Sequence, residues 1–221
     1  MPKENKPHEN RFVLSHLPDE VPVFPLPETV LFPHIDLPLY IFEPRYRKML
    51  KDCYHGSKLM AVSLLKEGWE KAEEPVPACD VVGVGYIRVL VENGDGTSHI
   101  VLKGLCRARI LNYVQMEPYR IAKIRLLSDQ IDDEAELGQL ASRLRQLLLL
   151  KLRFNSETPH KPYKLPPEYN DPLSLSFLAA YMLNTNKQLK QDLFETTNSN
   201  CRLRHLIDLM EEEIYPSSSM N

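Results

Sequence analysis

Few of the residues that usually announce chemistry occur in this chain. Its 221 residues hold one tryptophan, eight glycines and four cysteines. Cys53, Cys79, Cys106 and Cys201 stand far apart and form no Cys-x-x-Cys pair. That spacing argues against a zinc ribbon or a disulfide framework, and reads as buried thiols in a reducing cytoplasm. No Gly-x-x-x-x-Gly-Lys-Ser/Thr loop is present, which excludes a phosphate site of that type. The seven histidines show no His-Glu-x-x-His spacing, so no metal site is expected. Apolar runs such as LLLLKL at 147–152 fall far short of the ~20 residues that span a bilayer. An excess of one charge is missing as well. The net charge of −3 gives nothing global to attract nucleic acid or an anionic membrane. The polar start MPKENKPHEN lacks the apolar core of a signal peptide. The expectation is a cytoplasmic protein with no membrane partner and no cofactor.

What is present falls into two periods. After a tail over 1–19, residues 20–128 read as strands. VPVFPL, LPLYIF and KLMAVSLL are short, apolar and punctuated by proline. DVVGVGYIRVLVE at 80–92 places Gly83 and Gly85 on one strand face, leaving room for something to approach closely. NGDG at 93–96 signals a hairpin. Gly104 marks a bulge or bend in the returning segment 98–114. Several short strands at this spacing predict a small, strongly bent sheet or barrel. Residues 129–215 have helical period. Leu137, Leu140, Ala141, Leu144, Leu147 and Leu148 form one stripe, and Leu203, Leu206, Ile207, Met210 and Ile214 another. Between them lie a proline-rich connector at 155–172 and a helix opened by Asp171-Pro172, with Leu175, Phe177, Leu178, Tyr181 and Met182 expected inward. Residues 216–221 read as a tail. The fold class is α+β, a bent barrel followed by a helical bundle.

The change from strand to helix happens within LYIFEPRYRKML, at Glu43, Pro44, Arg45 and Tyr46. Pro44 suits the first helical position, and the Glu43 carboxylate is expected to meet free N–H groups at the helix start. A catalytic role for Glu43 needs an opposing acid or base, and the sequence supplies none. These four residues read as a structural junction. No catalytic set converges anywhere in the chain, which is therefore not expected to be an enzyme.

The same stretch, VPVFPLPETVLFPHIDLPLYIFEPRYRKML, resembles the start of the Lon protease N-terminal, substrate-binding domain. LLKEGWE, VVGVGYIRVLVENGDGTSHIVLKGLCRARI and KQLKQDLFETTNSNCRLRHLIDLMEEEI continue the resemblance in order. It covers about residues 20–215 and implies a PUA-like β-barrel joined to a helical bundle. It also implies a free-standing form without ATPase or protease domains. The role the resemblance implies for that form is recognition of exposed apolar segments of unfolded protein clients, as a protease adaptor or a holdase with a protease or chaperone as partner.

Candidate contacts follow from what such a surface requires. Trp69, the sole tryptophan, lies in a polar segment and reads as a client anchor or as a cap on the barrel. Phe32 and Pro33 in the first loop are candidates for the same client-binding surface. Some PUA-like barrels bind RNA, so Lys103, Arg107, Arg109, Arg120, Lys123 and Arg125 form an alternative, RNA-binding face. A solvated outer face is the plainer reading of those bases, because few aromatics interleave with them. His34 with Asp36, and His205 with Asp208, are pairs too sparse for metal ligation and read as solvated polar residues.

Overall fold

The computed structural model describes residues 17–154 and 163–216. The expected tails therefore lie mostly outside the described residues, as does the 155–162 part of the connector. The chain divides into two units between Leu127 and Ser128.

The first unit contains β1 (Glu20–Leu26), β2 (Asp36–Ile41), α1 (Pro44–His55), β3 (Leu59–Leu64), β4 (Val81–Glu92), β5 (Ser98–Gln115) and β6 (Arg120–Leu126). The strands run in the order β2-β5-β4-β3-β1-β6, and β6 returns to pair with β5, so five of them close into a barrel. Closure depends on the 18-residue length of β5. Its first part pairs with β2, its second with β6, and both with β4. Register shifts between Val84 and Gly85 and between Ile110 and Asn112 supply the bending.

Inside the closed strands sit Val21, Val23, Ala61, Val82, Val84, Ala108, Ile110, Ala122 and Ile124. Every closing strand contributes, and the side chains are small because a barrel this narrow has little interior to fill. A second cluster seats α1 on the sheet. Tyr46, Met49, Leu50 and Cys53, one helical stripe, meet Phe24, Ile41, Met60, Val62, Ile87, Ile100 and Leu102. Each large apolar side chain so buried contributes roughly 1.5–3 kcal/mol.

At the junction, Pro44 occupies the first turn, and the Glu43 carbonyl accepts the N–H groups of Tyr46 and Arg47 at 3.0 and 2.9 Å. The Glu43 carboxylate does not cap the helix as expected. It accepts the Arg45 Nε–H at 3.0 Å, and Arg45 also reaches Glu74 at 3.2 Å. A charge-assisted bond to a neighbouring guanidinium outcompetes the free N–H groups.

The second unit holds α2 (Glu134–Phe154), a 3-10 turn at Pro167–Asn170, α3 (Pro172–Met182), α4 (Lys187–Glu195) and α5 (Ser199–Ile214). Each helix start is capped by a short polar side chain. Asp133 accepts from Ala135 N and Glu136 N, Asp171 from Ser174 N, Asn186 from Leu189 N and Asn198 from Cys201 N, all at 2.8–3.0 Å. The α2 stripe packs inward, with Leu137, Ala141, Leu144, Leu147 and Leu148 buried. On α3 the buried set is Ser174 to Phe177 with Ala179 and Ala180, while Tyr181 is exposed. Leu175 and Phe177 are thus inward as expected and Leu178 and Met182 partly so, while Tyr181 is the departure and small residues are buried beside them. On α5 the stripe is buried except that Ile214 is half-exposed.

Candidate functional site

Strands β2, β5 and β4 lie side by side with one face on the α1 core. Their other face is built by three cross-strand rows. Asp36 pairs with Lys103; Pro38 pairs with Val101, and Val101 with Val89; Tyr40 pairs with His99, and His99 with Val91. One irregularity assembles this face. Tyr86 and Ile87 pair with Lys103 and Leu102, but the next partner of Val101 is Val89, so Arg88 is an extra residue. A bulge of this kind re-aims the side chains beyond it. Leu90 turns inward to pack on the α1 core, and Val89 and Val91 turn out.

The face is apolar and open to solvent. Tyr40, Phe42, Val89 and Val91 are exposed, Phe42 by 57% and Val91 by 53%. The Tyr40 ring stacks on His99 at 4.8 Å and on Phe42 at 5.8 Å between centroids. Pro38, Tyr40, Val89, Val91, His99 and Val101 line a shallow cavity of about 470 Å³. The polar row closes one end, where Arg88 meets the Asp36 carboxylate at 2.6 Å and Lys103 lies 3.6 Å from it. A contiguous exposed apolar patch with a polar rim is the surface expected of a protein-binding site. Among the described residues no group of three or more His, Cys, Asp or Glu is placed to hold a metal ion.

The residues singled out from sequence are distributed differently. Phe32, expected on a client-facing surface, is 1% exposed, and Pro33 is buried beside it. Three glycines draw their loop in. A Cβ on Gly83 would stand 2.0 Å from the Leu31 carbonyl oxygen, and one on Gly104 would stand 2.0 Å from that of Phe32. On Gly85 it would stand 2.9 Å from the Leu31 side chain. The room noted at Gly83 and Gly85 is therefore filled by the 31–33 loop, which corrects the reading of Phe32 and Pro33 as surface contacts.

Trp69 is half-buried in a 3-10 turn at Trp69–Lys71, and its Nε1 has no hydrogen-bond partner among the described residues. That turn lies on the connection leading into the start of β4, whereas the apolar face uses the strand's far end. The six bases do not form one face either. Arg107 and Arg120 are buried, and Arg120 donates to the Val76 carbonyl at 2.7 Å. Lys103 donates to the His34 carbonyl at 2.6 Å. Only Arg109, Lys123 and Arg125 remain exposed on neighbouring strands.

The family described as ATP-dependent protease La (LON) substrate-binding domain matches residues 20–212. The chain belongs to the Lon substrate-binding domain family. It is 26% identical over 204 residues to the Lon protease of Dictyoglomus thermophilum, and 28% over 202 residues to that of Anaeromyxobacter dehalogenans. These alignments take in 90% and 89% of this chain but 25% and 24% of the relatives, so the chain spans about a quarter of their length. Two solved Lon N-terminal domains share the fold. That of the Mycobacterium avium complex superposes with a TM-score of 0.68 at 20% identity, covering 87% of this chain and 98% of that domain. The Lon N-terminal domain protein of Xanthomonas campestris gives 0.59 at 21% identity, covering 86% and 97%. Within this Lon-type domain the apolar face went unnoticed in the sequence. Its one legible signal was the spacing of Pro38, Tyr40 and Phe42 at every second residue in a segment next to a junction.

Proposed function

We propose that this Lon-type domain is a non-catalytic module that binds exposed apolar segments of protein clients on the β2–β5–β4 face. The observation that supports this most is the two-row apolar patch of Pro38, Val101 and Val89 with Tyr40, His99 and Val91. Unfolded polypeptides differ from native ones in showing core side chains, and such a patch offers them apolar burial. The same surface serves a holdase directly. It serves an adaptor where a protease or chaperone takes the client onward, in the cytoplasm. Trp69 is a second contact in this proposal, its apolar ring body half open to solvent.

The RNA alternative has less support, since burial of Arg107 and Arg120 divides the basic stripe. Counterion release makes phosphate-driven binding fall steeply with salt, whereas apolar capture is largely salt-insensitive. The test is fluorescence anisotropy with a labelled, permanently unfolded polypeptide and its folded parent. Binding of the unfolded form alone, retained in high salt and weakened about tenfold by Tyr40→Ser with Val91→Thr, is expected, a change of ~1.4 kcal/mol. Equal binding of the folded parent, or no loss in the double variant, overturns the assignment to this face.

A further inference from the structure

On the proposal that this face takes client segments, we infer the form in which they are held: an extended strand added to the open edge of β2. Among the described strands β2 is hydrogen-bonded only to β5, which leaves its other edge without a neighbour.

The direction of the edge groups follows from two observations. The Gly104 N–H donates to the Ile35 carbonyl at 2.9 Å, so residue 35 turns its backbone toward β5. In an antiparallel ladder such residues alternate, and 37, 39 and 41 follow it. Residues 36, 38 and 40 then direct their backbone groups to the open edge. Pro38 belongs to this outward set, the only one in which a missing N–H leaves no β5 carbonyl unpaired. The edge therefore presents the Asp36 and Tyr40 N–H groups and the Asp36, Pro38 and Tyr40 carbonyls.

Those same residues carry the side chains of the apolar face. A strand laid along the edge satisfies its backbone on β2 and extends both apolar rows with every second side chain. A helix cannot use the edge, because its own backbone groups are already paired. Charge sets the polarity of the occupant's end. The Asp36 row holds one acid against Lys103 and Arg88. The client residue there is uncharged or acidic, and its neighbours along the edge are alternately apolar.

A labelled, end-capped peptide of alternating valine and threonine with one terminal aspartate tests this by anisotropy. Two further versions carry N-methyl groups, one on the valines and one on the threonines. Strand addition predicts at least a tenfold loss for one methylated version and little change for the other, since only one set of N–H groups points at β2. Valine methylation is the damaging one for antiparallel addition, and threonine methylation for parallel addition. On the protein, Tyr40→Pro removes one of the two outward N–H groups, the one within the apolar rows, and loses more binding than Tyr40→Ala. If the parent peptide binds and neither methylated version is weakened, strand addition is overturned while the apolar face stands. If the parent peptide fails to bind while the unfolded polypeptide binds through Tyr40 and Val91, the extended mode alone is overturned. Failure of both ligands overturns the face and the mode together.

Discussion

The barrel unit and the helical unit are each stabilised in a different way. The barrel's closed interior is lined by small apolar side chains, and its first loop is admitted because three glycines have no Cβ. Arg107 and Arg120 are buried in the barrel unit too, but in the helical unit one buried cation joins several elements. Arg202 is 1% exposed, lies 2.6 Å from Asp129, and donates to Ser176 Oγ and the Thr196 carbonyl at 3.0 and 2.6 Å. Its guanidinium also covers the Phe177 ring at 4.5 Å. Asn200, fully buried, ties the Asp133 carbonyl and Glu136 to the start of α5. The comparison teaches that a closed sheet satisfies its backbone by pairing, so its core is free to be apolar. Helix ends and connectors have no such ladder, and here buried side chains supply the missing partners.

The largest expected effect comes from removing the charged anchor. Arg202→Ala takes the guanidinium away from Asp129, whose side chain is only 14% exposed, and destabilises the second unit by about 4 kcal/mol. Hydrogen exchange of the α5 amides reads this, and Arg202→Met is milder because it keeps the apolar contact with Phe177. In the barrel the matching lesion is steric. Gly104→Ala forces a methyl against the Phe32 carbonyl and costs about 3 kcal/mol. The single tryptophan, Trp69, lies in this unit and reports its urea unfolding. A stable Gly104→Ala barrel would show that the loop, and not the strand, gives way.

Thiol chemistry comes next. Burial pushes the Cys53 and Cys106 thiols up to about 12. Cys53 and Cys79 are buried, Cys106 is partly buried and Cys201 is exposed on α5, a correction to the expectation that all four cysteines are buried. Because the thiolate is the reactive form, Cys201 is labelled first, and Cys53 and Cys106 at least ~100-fold more slowly. The smallest effect is expected on the apolar face. Val91→Thr changes stability by no more than about 0.5 kcal/mol while weakening client binding. A large loss of stability there would mean the face is core, not site.

Much of this architecture was legible in the residues. Strand against helix periodicity separated 20–128 from 129–215, Asp171-Pro172 announced the cap of α3, and NGDG announced the turn between β4 and β5. Gly96 there adopts a φ of 81°, and the Asn93 N–H donates to the Thr97 carbonyl at 2.9 Å. The site was far less legible. Phe32 looks like a surface anchor because nothing local says that glycines some fifty and seventy residues on will make room for its loop. The outward turn of Val89 and Val91 is not legible locally, because a bulge at Arg88 has no composition of its own.

The sequence by itself determined which segments are strands and helices and where the helices begin. Those properties depend on neighbours within a few residues, through backbone sterics, capping and side-chain period. Tertiary structure alone decided which apolar residues face water and which cations are buried. Burial is a property of pairings far apart in the chain: Gly104 with Phe32, Val101 with Val89, Asp129 with Arg202.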